Sequence, residues 1–328
     1  MEHGNITGPV QGQRRCKRCA ALTDDATAHF CWRCGGVLPQ RRSAAAQSLL
    51  TLLKCIGIVA VMIGVQFLFV SVYTVIVSAA LGFGYGAGVG EEYFVAMYAG
   101  GICQVEIAAD FAVVGLLCLI MKIRGFSIHR EVSLRPAPLC GLAGVAVFGA
   151  SANVLVSAIV SLAYSLWPRL QENSSINNDY SVQLQQSMPA VWSILLTVIV
   201  TPLVEEFVFR GLVFTRLRKV VGKGTAVVLS AVIFGAAHMN IEQGVYAFAI
   251  GLVMAMAYEK YGSIWASVAL HFAFNGFDYI KELLIPWDTA TGFISAIFVS
   301  GGLILLSLGL VFGSRISSDG EKTERIVS

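Results

Sequence analysis

The sequence predicts an all-α polytopic membrane protein of about eight transmembrane helices behind a small polar head. Of its 328 residues, 56% are apolar and 13% charged, with a mean hydropathy of +0.72. An ordinary soluble domain carries about 25% charged residues. Several uninterrupted apolar runs also reach the roughly 20 residues that an α-helix needs to cross about 30 Å of hydrocarbon. A membrane barrel of short, alternating strands is excluded by the same arithmetic, as is a disordered or secreted disulfide-rich chain. A formal net charge of +3 gives no argument for nucleic acid.

The head comes first along the chain. It is polar and basic and lacks an apolar core before a small-residue cleavage site, so no secretory signal peptide is expected. Cys16-Lys17-Arg18-Cys19 and Cys31-Trp32-Arg33-Cys34 are two C-x-x-C pairs followed by Gly35 and Gly36. Two such pairs can bring four thiolates to the corners of a tetrahedron, which a structural Zn²⁺ accepts. Two disulfides or free thiols are the competing reading, and a reducing cytosol disfavours it. The segment from Phe30 to Gly36 also resembles the short zinc ribbons in front of many bacterial membrane proteins. Four protein ligands leave no open position on the metal, so the expected role is structural, or docking to a cytoplasmic partner. A segment this small has no core, and its folding would depend on the metal. Residues 1–40 are read as this zinc ribbon and tail, and 41–47 as a linker.

Eight apolar segments follow, at approximately 48–80, 94–121, 139–166, 190–217, 223–239, 243–258, 262–278 and 290–313. The first three and their loops occupy 48–186, a core runs over 187–314, and 315–328 form a tail. Arg14, Arg15, Lys17, Arg18, Arg41 and Arg42 precede the first span. Lys122, Arg124, Arg130 and Arg135 follow the second, Arg216, Arg218, Lys219 and Lys223 the fourth, Lys260 the sixth, and Arg315, Lys322 and Arg325 the last. The opposite loops hold Glu91, Glu92, Glu172 and Asp179, with Lys281 on the same side. The positive-inside rule then puts both termini in the cytosol of a multi-pass protein of the cell membrane. Glycine-rich stretches at 141–149 and 301–309 read as surfaces for close helix approach. The fifth, sixth and seventh segments stand at the lower length limit for spanning, so one is expected to be tilted, broken or partly re-entrant.

Ionisable groups at membrane depth are costly and mark functional candidates. Here they gather late in the chain: Pro202 and Glu205-Glu206-Phe207-Val208-Phe209-Arg210 in the fourth span, Phe234 to His238 in the fifth, His271 to Asn275 in the seventh. Glu206 and Arg210 are one helical turn apart, so the arginine can neutralise that carboxylate. Glu205 is rotated about 100° away without a partner at that spacing. An unpaired carboxylate in low dielectric suits taking a proton from water and delivering it to a leaving amine. His271 and Asn275 share a face and can stabilise an oxyanion, or the histidine can bind a metal. Glu106 and Asp110, also one turn apart, read first as interhelical contacts and second as part of a polar cavity or proton path. Cysteines in the spans read as small apolar residues.

Each element alone also fits a buried ion-pair staple or an interhelical hydrogen bond. Together, the E-E-x-x-x-R, F-x-x-x-H and H-x-x-x-N patterns resemble the CPBP family of intramembrane endopeptidases, which includes type II CAAX prenyl proteases, bacteriocin-processing enzymes and Abi-like proteins. The resemblance covers roughly Ser187 to Phe277. It implies hydrolysis of a peptide bond in a membrane-associated protein or peptide, with Glu205 as the catalytic glutamate and His238 assisting it to activate water. It also implies oxyanion stabilisation by His271 and Asn275, and support from Glu206, Arg210 and Phe234. One glutamate and two histidines also suit a His₂Glu zinc site with a place for water. There is no H-E-x-x-H, and the metal-free glutamate mechanism is preferred. A non-catalytic scaffold or bacteriocin-immunity protein of the same fold is the first rival. A transporter ranks last, because no internal repeat is evident. One distance sits awkwardly: at 1.5 Å per residue Glu205 lies about 16 Å from Arg216, whereas His238 lies about 24 Å from Gly222. Pro202 is expected to kink the fourth helix near the site.

Overall fold

The computed structural model describes residues 14–23, 44–85, 91–126, 128–172, 179–285, 287 and 289–313. The chain divides into two compact units, Met1–Thr51 and Leu52–Ser328. In the first, β1 (Arg14–Arg15) and β2 (Leu22–Thr23) pair antiparallel across a tight turn. The Cys16 amide donates to Ala21 and its carbonyl accepts from Ala20, which adopts a positive φ of 59°. Cys16 and Cys19 flank this turn, Cys16 buried. Cys31 and Cys34, the other half of the expected zinc ribbon, lie outside the described residues.

Helices α1 (Ala44–Tyr85), α2 (Glu91–Ile123), short α3 (Ile128–Glu131) and α4 (Leu139–Leu166) follow. The expected linker is therefore already helical from Ala44, because Ala44-Ala45-Ala46 are the strongest helix formers available. After α5 (Pro168–Glu172) and α6 (Asp179–Ser187), Pro189 precedes one long helix of changing pitch. It comprises α7 (Ala190–Ile194), a π-helical stretch (Leu195–Val200), α8 (Thr201–Glu206), a second π-helical stretch (Phe207–Phe214) and α9 (Thr215–Arg218). Then come α10 (Lys223–Ala237), α11 (Ile241–Tyr261), α12 (Ile264–Phe277), short α13 (Lys281–Leu284) and α14 (Ala290–Gly313).

All eight apolar segments are thus helical, but among the described residues six helices are long and apolar enough to cross a membrane. The fifth and seventh segments form α10 and α12, of 15 and 14 residues, or about 22 and 21 Å at 1.5 Å per residue. Chain punctuation sets these lengths. His238 closes α10, and Asn240 starts α11 by accepting from the Gln243 amide at 3.0 Å. Gly262 ends α11 in the left-handed region (φ 56°), and the Ser263 hydroxyl starts α12 by accepting from Trp265.

The core is continuous across α7–α9, α10, α11 and α12, with α4 and parts of α1 and α2 packed around it. Close approach of α4 to α12 depends on Gly149, where a Cβ would run into the Leu270 carbonyl oxygen. The other glycine-rich stretch behaves differently: a Cβ at Gly301, Gly302 or Gly309 would meet nothing within 4 Å. Among the described residues these three glycines do not carry the close helix approach expected of them.

Candidate active site

The site is built on the helix whose pitch changes. In a π-helix the carbonyl of residue i accepts from the amide of residue i+5, and the Thr201 amide duly donates to Leu196. The next partner in that ladder, for the Thr197 carbonyl, is residue 202. Pro202 has no N–H to give, and a buried carbonyl needs a donor. Asn275 supplies it from α12, with Nδ2 donating to the Thr197 oxygen at 2.9 Å. The proline thus creates a vacancy in one helix that the H-x-x-x-N asparagine of another helix fills.

Four residues after Thr201 stands Glu205, and beside it Glu206. Glu206 is sealed: its side chain is 0% exposed and Oε1 accepts from Arg210 Nη1 at 3.0 Å. Arg210 is also buried, donates to the Gly251 carbonyl at 3.2 Å, and lies 4.5 Å over the Phe234 ring. Such a cation–π contact is strongest when desolvated, as here. Glu205, turned away from this pair, is 16% exposed and lines a cavity of about 600 Å³.

His271 stands between the two carboxylates. Nδ1 is 3.0 Å from Glu206 Oε1, and Nε2 is 3.7 Å from Glu205 Oε2. An ionised carboxylate paired with arginine can only accept, so Nδ1 carries the proton and Nε2 of the neutral ring is a lone pair. His271 would therefore donate to an oxyanion only as the imidazolium. His238 has the same tautomer for a similar reason, since Nδ1 lies 2.9 Å from the Phe234 carbonyl and Nε2 is left for the cavity. Phe234 packs edge-on against both imidazoles, with ring centres 4.9 Å from His238 and 6.0 Å from His271. The three motifs thus have one aromatic ring as a common contact, with Arg210, His238 and His271 all against Phe234.

All four expected catalytic residues, Glu205, His238, His271 and Asn275, line this one cavity, and so does Phe234. Glu206 and Arg210 are outside its lining, with Glu206 bonded to His271 and Arg210 to Glu206. The awkward distance estimate does not keep Glu205 and His238 apart, since α10 ends at the cavity with His238 as its C-cap. Among the described residues, no group of three or more His, Cys, Asp or Glu side chains is placed to hold a metal ion.

The acidic pair of α2 divides between its two readings. Asp110 is an interhelical tie, accepting from Gln66 Nε2 at 2.7 Å and from Thr201 Oγ1 at 2.8 Å. Glu106 lines the cavity instead. Sequence reasoning missed Thr197, Thr201 and Gly251, whose contributions are a backbone carbonyl, a hydroxyl tie and a second carbonyl. Pro202 was the available signal for Thr197, because a missing amide implies an orphaned acceptor.

Residues 187–277 match the family model described as type II CAAX prenyl endopeptidase, Rce1-like. The three motifs and the whole four-residue constellation fall inside this Rce1-like stretch. Over 109 residues the chain is 29% identical to "Putative membrane peptidase YdiL" of Bacillus subtilis (strain 168), covering 33% of this chain and 44% of that protein. Over 157 residues it is 26% identical to "Membrane-embedded CAAX protease MroQ" of Staphylococcus aureus (strain USA300), covering 46% and 59%. The chain spans about half the length of these curated relatives. No solved structure matches it significantly. The head and the first three long helices are outside the Rce1-like stretch, although α2 and α4 contribute to the cavity wall through Glu106 and Asn153.

Proposed function

We propose that the chain is an intramembrane endopeptidase that hydrolyses a peptide bond of a membrane-associated protein or peptide. The observation that carries the reading is the division between adjacent carboxylates: Glu205 faces the cavity while Glu206 is sealed with Arg210. Glu205 takes a proton from water, assisted by the His238 Nε2 lone pair, as the water oxygen attacks the scissile carbonyl carbon. The proton then passes to the nitrogen of the leaving amine as the C–N bond breaks. Asn275 has a second N–H beside the one given to Thr197, and this N–H and the His271 imidazolium stabilise the oxyanion. The names of the two relatives and the Rce1-like stretch support this chemistry. In the same reading the protein is a multi-pass protein of the cytoplasmic membrane with both termini in the cytosol. Its head is a zinc ribbon in which Cys16, Cys19, Cys31 and Cys34 hold a structural zinc and present a surface to a cytoplasmic partner.

The test is to purify the wild type with Glu205→Ala and Cys16→Ser, count zinc per chain, and assay cleavage of a membrane-peptide library. The expected result is cutting by wild type, none by Glu205→Ala, and about one zinc that is lost with Cys16→Ser. A second zinc lost with Glu205→Ala makes the enzyme a metallopeptidase. Folded wild type that cuts nothing moves the scaffold reading ahead.

A further inference from the structure

The two ends of the bundle differ in charge and in closure, and the cavity belongs to one of them. At the end where α2, α7–α9 and α11 finish and α4, α10 and α12 begin stand Arg124, Arg216, Arg218, Lys219, Lys223 and Lys260. That end is sealed. Glu131 is nearly buried between Lys219 at 2.8 Å and Arg216 at 3.8 Å. The Ser133 carbonyl accepts from Ile264 at 2.9 Å, the Ser133 hydroxyl donates to Gly262, and Ser263 donates to the Arg135 carbonyl. Between this plug and Glu205 lie the buried side chains of Glu206, Phe209, Arg210, Phe214 and Leu217.

The cavity continues the other way. From Glu205 and His271 its wall runs to Tyr164 near the end of α4, Glu242 at the start of α11, and Asp278, Tyr279 and Lys281 past the end of α12. These polar residues bond to one another across the rim: Tyr164 to Glu242 at 3.2 Å, Lys281 to Asp278 at 2.6 Å and to Ser157 at 2.6 Å. The helix ends here carry Glu172, Asp179, Glu242 and Asp278, with Arg169 and Lys281 as counterparts. Lysine and arginine near span ends, not net charge, set orientation, and their excess marks the cytoplasmic side. The mouth is at the opposite end.

We propose that the cavity receives its peptide from the non-cytoplasmic face of the membrane. Its substrates are segments of polypeptide already carried across the bilayer, or those of membrane proteins standing on its outer surface. A carboxy-terminal segment held at the cytoplasmic surface does not meet this mouth. The inference rests on the peptidase reading for its chemistry and on the charge asymmetry for its direction.

The test uses the full chain in intact protoplasts and a membrane-impermeant maleimide coupled to polyethylene glycol. Leu283 and Ile241, 84% and 88% exposed, stand at the mouth end outside the catalytic set, whereas native Cys140 is exposed at the start of α4 at the basic end. Leu283→Cys and Ile241→Cys are expected to gain one adduct in intact cells, while wild type gains its adducts only after permeabilisation. The reverse pattern overturns the inference, as does failure of both variants to gain an adduct on either side. A second arm displays one cleavable segment on an anchoring helix, either outside or inside the cell. Glu205-dependent cutting of the outer display alone is expected. Cutting of the inner display alone overturns the direction and leaves the peptidase reading standing. The expected adducts without cutting of either display overturn the peptidase reading and leave the direction standing.

Discussion

Replacing Glu206 by leucine removes the carboxylate 3.0 Å from Arg210 and also the acceptor 3.0 Å from His271 Nδ1. The guanidinium would keep the Gly251 carbonyl and the Phe234 ring but no longer have the carboxylate beside it. A buried charge that loses its partner costs about 3–5 kcal/mol, so Glu206→Leu should fall by about that much in chemical denaturation in detergent. Removing both charges, as Glu206→Leu/Arg210→Met, should bring stability back to within about 1 kcal/mol of wild type, since apolar replacement of a buried pair is often neutral or stabilising. Cleavage should not return with it. His271 is without its acceptor in both variants, and loss of an oriented oxyanion donor costs about 10²–10³-fold in rate. The assay is turnover of a membrane peptide by detergent-purified enzyme, compared at equal folded fraction. A double variant that regains stability and activity together would refute the argument that Glu206 orients His271. One that regains neither would refute the argument from the buried pair.

Asn275→Ala should cost about 1–3 kcal/mol through the Thr197 carbonyl it leaves unpaired. In a Pro202→Ala background, where residue 202 has an amide to offer, the same substitution should cost clearly less; equal losses in the two backgrounds, read by denaturation, would count against the vacancy. Gly149→Ala should destabilise by about 1–3 kcal/mol through overpacking against the α12 backbone, while Gly301→Ala should stay within about 0.5 kcal/mol, both measured by the same unfolding assay. Asp110→Ala should leave the Gln66 amide and Thr201 hydroxyl without their acceptor, at about 1–3 kcal/mol. Asp110→Asn should recover much of that, because the Thr201 hydroxyl can also accept; if it is no better than alanine, the hydroxyl tie has been misread.

The motif residues were legible because helical spacing carries their geometry: Glu206 and Arg210 do pair across one turn, and Glu205 does turn away from them. Hydropathy found every long helix, but it cannot see a cap. The lengths of α10 and α12 depend on Asn240, Gly262 and Ser263, whose side-chain and backbone bonds carry no hydropathic signal. The π-helical stretches were likewise invisible, since a change from i+4 to i+5 bonding depends on what the neighbouring helices offer. The tautomer of His271 was hidden for a related reason. The i, i+4 spacing to Asn275 suggested a pair of donors, whereas its tautomer is set by Glu206, from a different helix. Asn275 itself was recognised as important without its attachment to Thr197, which only the missing Pro202 amide would have suggested.

The short helices bear on where in a cell this molecule is comfortable. At about 22 Å, α10 falls roughly 8 Å short of a 30 Å hydrocarbon layer, yet Val228 and Val232 present an exposed apolar face on it. Lipid meeting that face must shorten locally, at a cost of fractions of a kcal/mol for each ångström of mismatch. Headgroups and water are thereby drawn down toward His238. Long, saturated acyl chains oppose this deformation and thin bilayers relieve it, so the protein should partition into the thinner regions of its membrane. On the proposed peptidase reading its rate in vesicles should fall as acyl chains lengthen, making bilayer thickness a regulator of water access to the site.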